Sequence, residues 1–419
     1  MGKFDNKRDH DLYTKFDMSK KPIKQRWYLK LIAWIICLPV LLSPKKKVKK
    51  VNMENVKAPY ILLCNHNAFV DFKVTTKAIF PHSANYVVAI DGFIKREWLL
   101  RNVGCICKRK FTNDIVLVRH ILYTLKTLKQ IVVIYPEARY SLIGTNSMLP
   151  ESLGKMMKLT KVDVVVLNMK GHFIDSPFWN LAHRRNKTEA TMTKIIDVNE
   201  LKDISIEEIN KRINEAFYYD EYRWQDENKI KVTYKKRAEG LHKVLYKCVN
   251  CGKEFEMDSK DDTIFCKACG KKYTLTEYGR LEATVGKTEF TYPSDWYNWC
   301  RDEVKKEIIN KTYKIEDDVM VDSLPNSKGF ISLGEGHLVN DVNGFILNYK
   351  LDNKPMILQK EPASMFGCHI EYEYNNKGDC IDLSTLDDTF HIYFKNKKNV
   401  VTKIHLATEE MYKLAENKE

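Results

Sequence analysis

Three textures of hydrophobic patterning follow one another along the chain. The first is a run from Leu31 to Leu42 that is apolar at every position, with Pro39 inside it. The second begins near residue 60. Short apolar runs (Ile61-Leu62-Leu63 after Pro59, Tyr86 to Ala89, Ile131-Val132-Val133-Ile134, Val162 to Leu167) read as buried strands. Between them Ile115, Val118, Leu122, Leu125 and Leu128 recur at helical spacing, with Thr112 or Asn113 as the expected N-cap. Strands alternating with helices predict a layered α/β domain over residues 59–235. The third texture is period-two alternation after residue 314. Its runs are 330–333, 344–349, 369–374, 389–394 and 400–405, separated by turn residues such as Asn343-Gly344 and Asn375-Asn376-Lys377-Gly378. A helix over 408–417 is expected to close this small antiparallel β domain, and one over 295–313 to lead into it.

Composition changes the picture in two ways. A length of 419 residues exceeds one ordinary core, so several domains are expected. A net charge of +14 favours an anionic partner. Residues 1–25 read as a charged, loosely ordered leader. Residues 26–58 read as a membrane-associated helical segment: the apolar run is too short to span a bilayer, and basic clusters lie on both sides, the second being Lys45, Lys46, Lys47, Lys49 and Lys50. Trp27, Tyr28 and Trp34 suit a headgroup zone. The expectation is a monotopic or peripheral protein on the cytoplasmic face of the cell membrane, contacting anionic lipids.

Candidate chemistry sits at strand ends. The strand 61–63 runs into Cys64-Asn65-His66-Asn67-Ala68-Phe69-Val70-Asp71. A spacing of five places His66 and Asp71 together only if His66 lies in the turn and Asp71 just inside the next helix. An imidazole whose Nδ1–H is held by a carboxylate is a general base of fixed tautomer. Cys64, as the end of a buried strand, reads as core. Two further segments, Gly104-Cys105-Ile106-Cys107-Lys108-Arg109 and Tyr135-Pro136-Glu137-Ala138-Arg139-Tyr140-Ser141, deliver basic groups to strand ends, as a phosphate-bearing ligand requires. Cys248, Cys251, Cys266 and Cys269 form two CxxC knuckles, each followed by glycine, and read as one structural zinc site in a ribbon over 236–280; a helical linker is expected over 281–313. Four thiolates leave the ion no open position.

These motifs resemble the glycerophosphate and lysophospholipid acyltransferase superfamily, which includes the bacterial 1-acylglycerol-3-phosphate O-acyltransferases. Asn65, His66 and Asp71 match its first motif; Gly104, Ile106 and Arg109 its second; Tyr135, Pro136, Glu137 and Ser141 its third; the strand Val164 to Leu167 loosely its fourth. The resemblance covers about half the chain, residues 26–220. Ala138 stands where glycine is usual, and Arg139-Tyr140 where Thr-Arg is common. The resemblance implies catalysis by His66 and Asp71, and an acceptor site lined by Arg109, Glu137, Arg139, Asn65 and Gly104. It further implies an acyl thioester donor (acyl-coenzyme A or acyl-carrier protein) and a lysophospholipid acceptor, 1-acylglycerol-3-phosphate first. The fold class expected is therefore an acyltransferase-type α/β domain, then a zinc ribbon, then an antiparallel β domain that resembles a pleckstrin-homology barrel in topology. The alternatives are a different acceptor lipid, or a non-catalytic ribbon-based lipid- or nucleic-acid-binding adaptor. Intact His66, Asp71 and Glu137 speak against the adaptor, and nucleic acid is not an expected partner.

Overall fold

The structure is a computed structural model that describes residues 13–43 and 46–416. Residues 1–12 of the expected leader, Lys45 of the basic cluster and Asn417 of the expected terminal helix lie outside the described residues. The rest of the leader is packed rather than loose. Phe16 is buried against Phe93, with ring centroids 5.3 Å apart, and the backbone N–H of Phe16 donates to Pro325.

Helix α1 (Trp27–Leu41) leads into strand β1 (Val48–Val51), which the charged lysine run had concealed. The α/β domain continues with β2 (Tyr60–Cys64), α2 (Asp71–Ile79), β3 (Ala84–Ala89), α3 (Glu97–Asn102), β4 (Ile106–Lys108), α4 (Ile115–Lys126), β5 (Ile131–Ile134), α5 (Ser152–Thr160), β6 (Asp163–Lys170), α6 (His172–Asp175), β7 (Glu189–Ile196), α7 (Ile206–Phe217) and α8 (Glu221–Glu227). The N-cap of α4 is Asp114, whose carboxylate accepts from the N–H groups of Val116 and Leu117, not Thr112 or Asn113. The sheet runs β1-β7-β6-β2-β5-β3-β4. Its five strands β6, β2, β5, β3 and β4 are mutually parallel, while β7 is antiparallel to β6. The central strands β2 and β5 are covered on both faces, which explains their unbroken apolar runs. Open parallel sheets bind ligands beyond the carboxyl ends of their strands. The loops after β2, β3, β4, β5 and β6 therefore form one rim.

The ribbon is a four-stranded antiparallel sheet, β8 (Met257–Lys260), β9 (Thr263–Cys266), β10 (Lys272–Leu275) and β11 (Leu281–Ala283). Ile264 and Tyr273 are buried strand residues, whereas Phe255 precedes the sheet in a left-handed turn. Helix α9 (Pro293–Ile309) follows.

The last domain is a seven-stranded antiparallel sheet made of β12 (Lys314–Ser323), β13 (Ile331–Asp341), β14 (Gly344–Leu351), β15 (Lys354–Lys360), β16 (His369–Glu371), β17 (Cys380–Ser384) and β18 (Thr389–Phe394), closed by α10 (Val401–Glu416). The order is β15-β14-β13-β12-β18-β17-β16, so β15 and β16 remain edges and the strand ladder does not close into the expected barrel. Residues 400–405, expected as a strand, open α10 instead. Val401, Ile404, Thr408 and Met411 follow helical spacing onto the core, and the local alternation was incidental. The ribbon, α9, α10 and this sheet share one buried apolar cluster, joined by Leu142, Phe173 and Trp179 from the α/β domain. The last domain is thus fused to the first.

Candidate active site

His66 lies in the turn after β2, and Asp71 is the first residue of α2, as the spacing required. The His66 Nδ1–H donates to Asp71 Oδ2 at 3.0 Å. The same oxygen accepts from the backbone N–H groups of Asn67 (2.6 Å) and Ala68 (2.9 Å). Asp71 Oδ1 accepts from Nδ1–H of His172, at 2.6 Å, so one buried carboxylate holds two imidazoles. Burial alone would raise the Asp71 pKa, but the hydrogen bonds from His172 and His66 outweigh it and hold the carboxyl well below the ordinary carboxylate range. The His66 ring is flanked by Tyr135 and Tyr140, each with its centroid 4.2 Å away. Its position is fixed, and it borders the main cavity.

The other expected residues divide sharply. Asn65 does not reach the cavity: its amide donates to Met169 O and accepts from Met169 N, both at 2.8 Å, tying the turn to β6. Gly104 supports a tight turn with φ +84, where a Cβ would lie 2.5 Å from Ile23 O. Glu137 is buried beside the turn that carries His66. Burial pushes its carboxyl up to about 8, against the opposing pull of Arg139 and of N–H donors on Ser147 and His66. Arg109 is 1% exposed and turned away from the cavity. Its guanidinium donates to Leu324 O, Thr389 Oγ1, Pro325 O and Asp387 O of the last domain, at 2.8–3.0 Å. The acceptor-site roles expected for Asn65, Gly104, Glu137 and Arg109 are therefore not what their positions offer, because each is committed to the scaffold. Arg139 does border the cavity, yet its Nη2 donates to His405 Nε2 (2.7 Å) and Glu409 Oε1 (3.0 Å) of α10.

The cavity measures about 1120 Å³, more than the ~300–1,000 Å³ usual for a drug-sized ligand. One wall is apolar, from α1 (Leu29, Ile32, Ile36) and Phe72 of α2. The opposite end is polar, and sequence reasoning missed most of it. Lys108 and Lys110 follow β4, Asp91 follows β3, and His369, Glu371 and Tyr374 come from the last domain. Lys110 donates to Asp91 Oδ2 at 2.8 Å. Burial lowers the pKa of Lys108, with Asp114 partly offsetting it, so a bound anion would recover solvation that this ammonium has lost. His172 could have been found by the strand-end rule that found His66, since it follows β6 directly. His369 and Glu371 had no such signal, because they are in register with another domain's strands.

Around the cavity mouth the surface is apolar. Trp27, Ile35, Ile36 and Leu38 of α1, with Leu42 just after it and Phe69, Phe80 and Trp98, are all exposed. Among the described residues no helix is long and apolar enough to cross a membrane.

In the ribbon, Cys248 Sγ lies 3.7 Å from Cys269 Sγ and Cys251 Sγ 3.8 Å from Cys266 Sγ. Four thiolates about 2.3 Å from one tetrahedral zinc would be about 3.8 Å apart, so the residues fit that ion.

Residues 47–170 match the protein-family model described as Acyltransferase. Residues 241–272 match a zinc-ribbon model described as DNA directed RNA polymerase, 7 kDa subunit. Among solved structures the chain is similar to the 1-acyl-sn-glycerophosphate (LPA) acyltransferase PlsC from Thermotoga maritima, at 16% identity and a TM-score of 0.37, over 45% of this chain and 77% of that one. No curated protein matches the chain. Residues 47–170 are thus similar to the Acyltransferase family, and a zinc ribbon and an antiparallel β domain follow them.

Proposed function

We propose that the protein moves a fatty acyl group from a thioester, acyl-coenzyme A or acyl-carrier protein, to the free hydroxyl of a lysophospholipid. The observation that carries this reading is the His66–Asp71 pair, fixed at the rim of a large cavity with one apolar end and one end of mixed charge. His66 Nε2 takes the proton of the acceptor hydroxyl as its oxygen attacks the thioester carbonyl. The C–O bond forms, the C–S bond breaks, and the imidazolium returns the proton to the departing thiolate. Asp71 stabilises that imidazolium, and His172 fixes Asp71 from its other oxygen. The apolar wall takes the acyl chain, and Lys108 with Lys110 faces the phosphate. The exposed apolar rim, flanked by Lys46, Lys47, Lys49 and Lys50, supports seating on an anionic membrane from which both lipids enter sideways.

Within the class, 1-acylglycerol-3-phosphate is the first acceptor to test. The sealed Arg109 favours a second reading, an acceptor whose phosphate carries a further substituent. Incubating the purified chain with labelled acyl thioester and a panel of lysolipids, with H66A alongside, tests both. Transfer to some lysolipid that H66A loses supports the reading; transfer surviving in H66A, or none to any lysolipid, overturns it.

A further inference from the structure

A second cluster of metal-ligating groups lies toward the β16 edge of the last sheet, outside the His66–Asp71 pair and the ribbon. Register places His369, Asp382 and His391 side by side across β16, β17 and β18. Cys380, two residues before Asp382, points to the same face. All four are at most 3% exposed. His391 Nδ1 is 3.2 Å from Asp382 Oδ1 and 4.0 Å from Cys380 Sγ, and a donor atom from each of the three lies within 4.8 Å of the other two. His369 Nε2 is 3.9 Å from Asp382 Oδ2.

Such a row is expensive on a buried sheet face unless its polar atoms are matched. The protein matches them only in part: His369 Nε2–H donates to Glu371 Oε1 at 2.9 Å, but Asp382 Oδ1, His391 Nε2 and His369 Nδ1 have no hydrogen-bond partner. The ammonium of Lys110 does not close the gap, because it bonds Asp91 at 2.8 Å and stands 3.9 Å from Asp382. Three carboxylates, Asp91, Glu371 and Asp382, thus face one ammonium. Phe330 and Tyr374 pack on the His391 ring, with centroids 4.6 and 5.3 Å away, and shut it from solvent.

We infer that Cys380, Asp382 and His391 bind a second zinc ion, with His369 or a water in the fourth position. A thiolate, a carboxylate and an imidazole form a donor set that zinc takes readily. With bonds of about 2.3 Å to sulfur and 2.0–2.2 Å to nitrogen and oxygen, neighbouring donors of a tetrahedral site stand about 3.3–3.6 Å apart. The two distances from His391 need only a few tenths of an ångström of adjustment, and Cys380 Sγ stands within 4.8 Å of Asp382. The ion neutralises the excess carboxylate and releases the thiol proton to solvent. It also braces the strands that carry His369 and Glu371 to the polar end of the cavity.

The test is metal content of the full chain, purified without chelator, together with zinc X-ray absorption. Two zinc ions per chain are expected, one of them lost in His391→Gln and in Cys380→Ser, the other lost in Cys251→Ser. The absorption measurement needs no substitution and so survives a variant that fails to fold. Two sites with four and one thiolates average about 2.5 sulfur neighbours per zinc, against about four for the ribbon alone. One zinc per chain with an all-sulfur shell overturns the inference. So does a second zinc that persists in both His391→Gln and Cys380→Ser.

Discussion

Arg109→Met separates a structural arginine from a phosphate-binding one. The guanidinium supplies four hydrogen bonds of 2.8–3.0 Å to the last domain, three of them to backbone carbonyls, from a site 1% exposed. Each acceptor left unpaired in a buried site costs about 1–3 kcal/mol, and four would sum to an implausible total because water enters and the segments relax. A hydrogen bond to a charged group is worth about 1.5–3 kcal/mol net, and a loss of one to two such bonds' worth, about 2–5 kcal/mol, is the magnitude expected here. The loss should be local to the junction of residues 323–326 and 387–389 with β4. Native-state amide exchange reads it as faster opening of those segments, and denaturant titration as a lower midpoint. An arginine that gripped the acceptor phosphate would behave oppositely: stability unchanged, and acceptor KM raised with kcat unchanged. Unaltered exchange and unfolding in Arg109→Met, with a raised KM, would refute the assignment.

His172→Gln should lower kcat by roughly 10–100-fold, the equivalent of one hydrogen bond to a charged group at ~1.5–3 kcal/mol, while acceptor KM stays near its original value; equal rates in steady-state assays would remove His172 from the mechanism. Glu137→Gln should stabilise the protein. Its folded pKa of about 8 exceeds the ordinary 4.5, so the unfolded chain ionises first and stability falls between those pH values, by on the order of 3 kcal/mol at pH 7. Unfolding curves at pH 5 and pH 8 should converge in the variant, and an undiminished difference would show that Glu137 is not the source. Chelation should unfold the ribbon first and weaken the adjoining core; a circular-dichroism signal and melting curve insensitive to chelator would contradict a folding role for zinc at Cys248, Cys251, Cys266 and Cys269.

The local half of this site was legible in the sequence, and the long-range half was not. His66 and Asp71 are five residues apart, so a strand-turn-helix reading sufficed to bring them together, and the same holds for the CxxC knuckles. Arg109 and Arg139 were read correctly as strand-end cations. What they touch was invisible, because their partners lie between 215 and 280 residues away and periodicity carries no information about docking. Strand β1 was hidden by lysines on an edge position of the sheet, and β12 by acidic residues alternating with Ile315, Val319 and Val321. The start of α10 was misread because Val400-Val401 and Ile404 satisfy period two as well as 3.6 over so short a window. His369 and Glu371 looked like ordinary strand residues of a separate module.

The commitments of the two arginines argue that this last domain is part of the acyltransferase itself. In a chain whose domains were merely tethered, Arg109 and Arg139 would face solvent or ligand, and the cavity would be closed by residues before 236. Here Arg139 enters a buried network in which Glu409 pairs with Arg139 and Arg301, and Arg301 reaches Glu410 as well. Ala238, at the expected border of the first domain, is fully buried in the shared core. Separating the domains would strand two guanidiniums and open a continuous apolar core, so the parts form one cooperative body. The consequence reaches the chemistry. With two arginines committed to the junction, the cavity retains Arg96, Lys108 and Lys110 together with Asp91, Asp114, His369 and Glu371. A ligand of this cavity must therefore satisfy a mixed cationic and anionic wall, part of it built by His369 and Glu371 on β16 of the last domain.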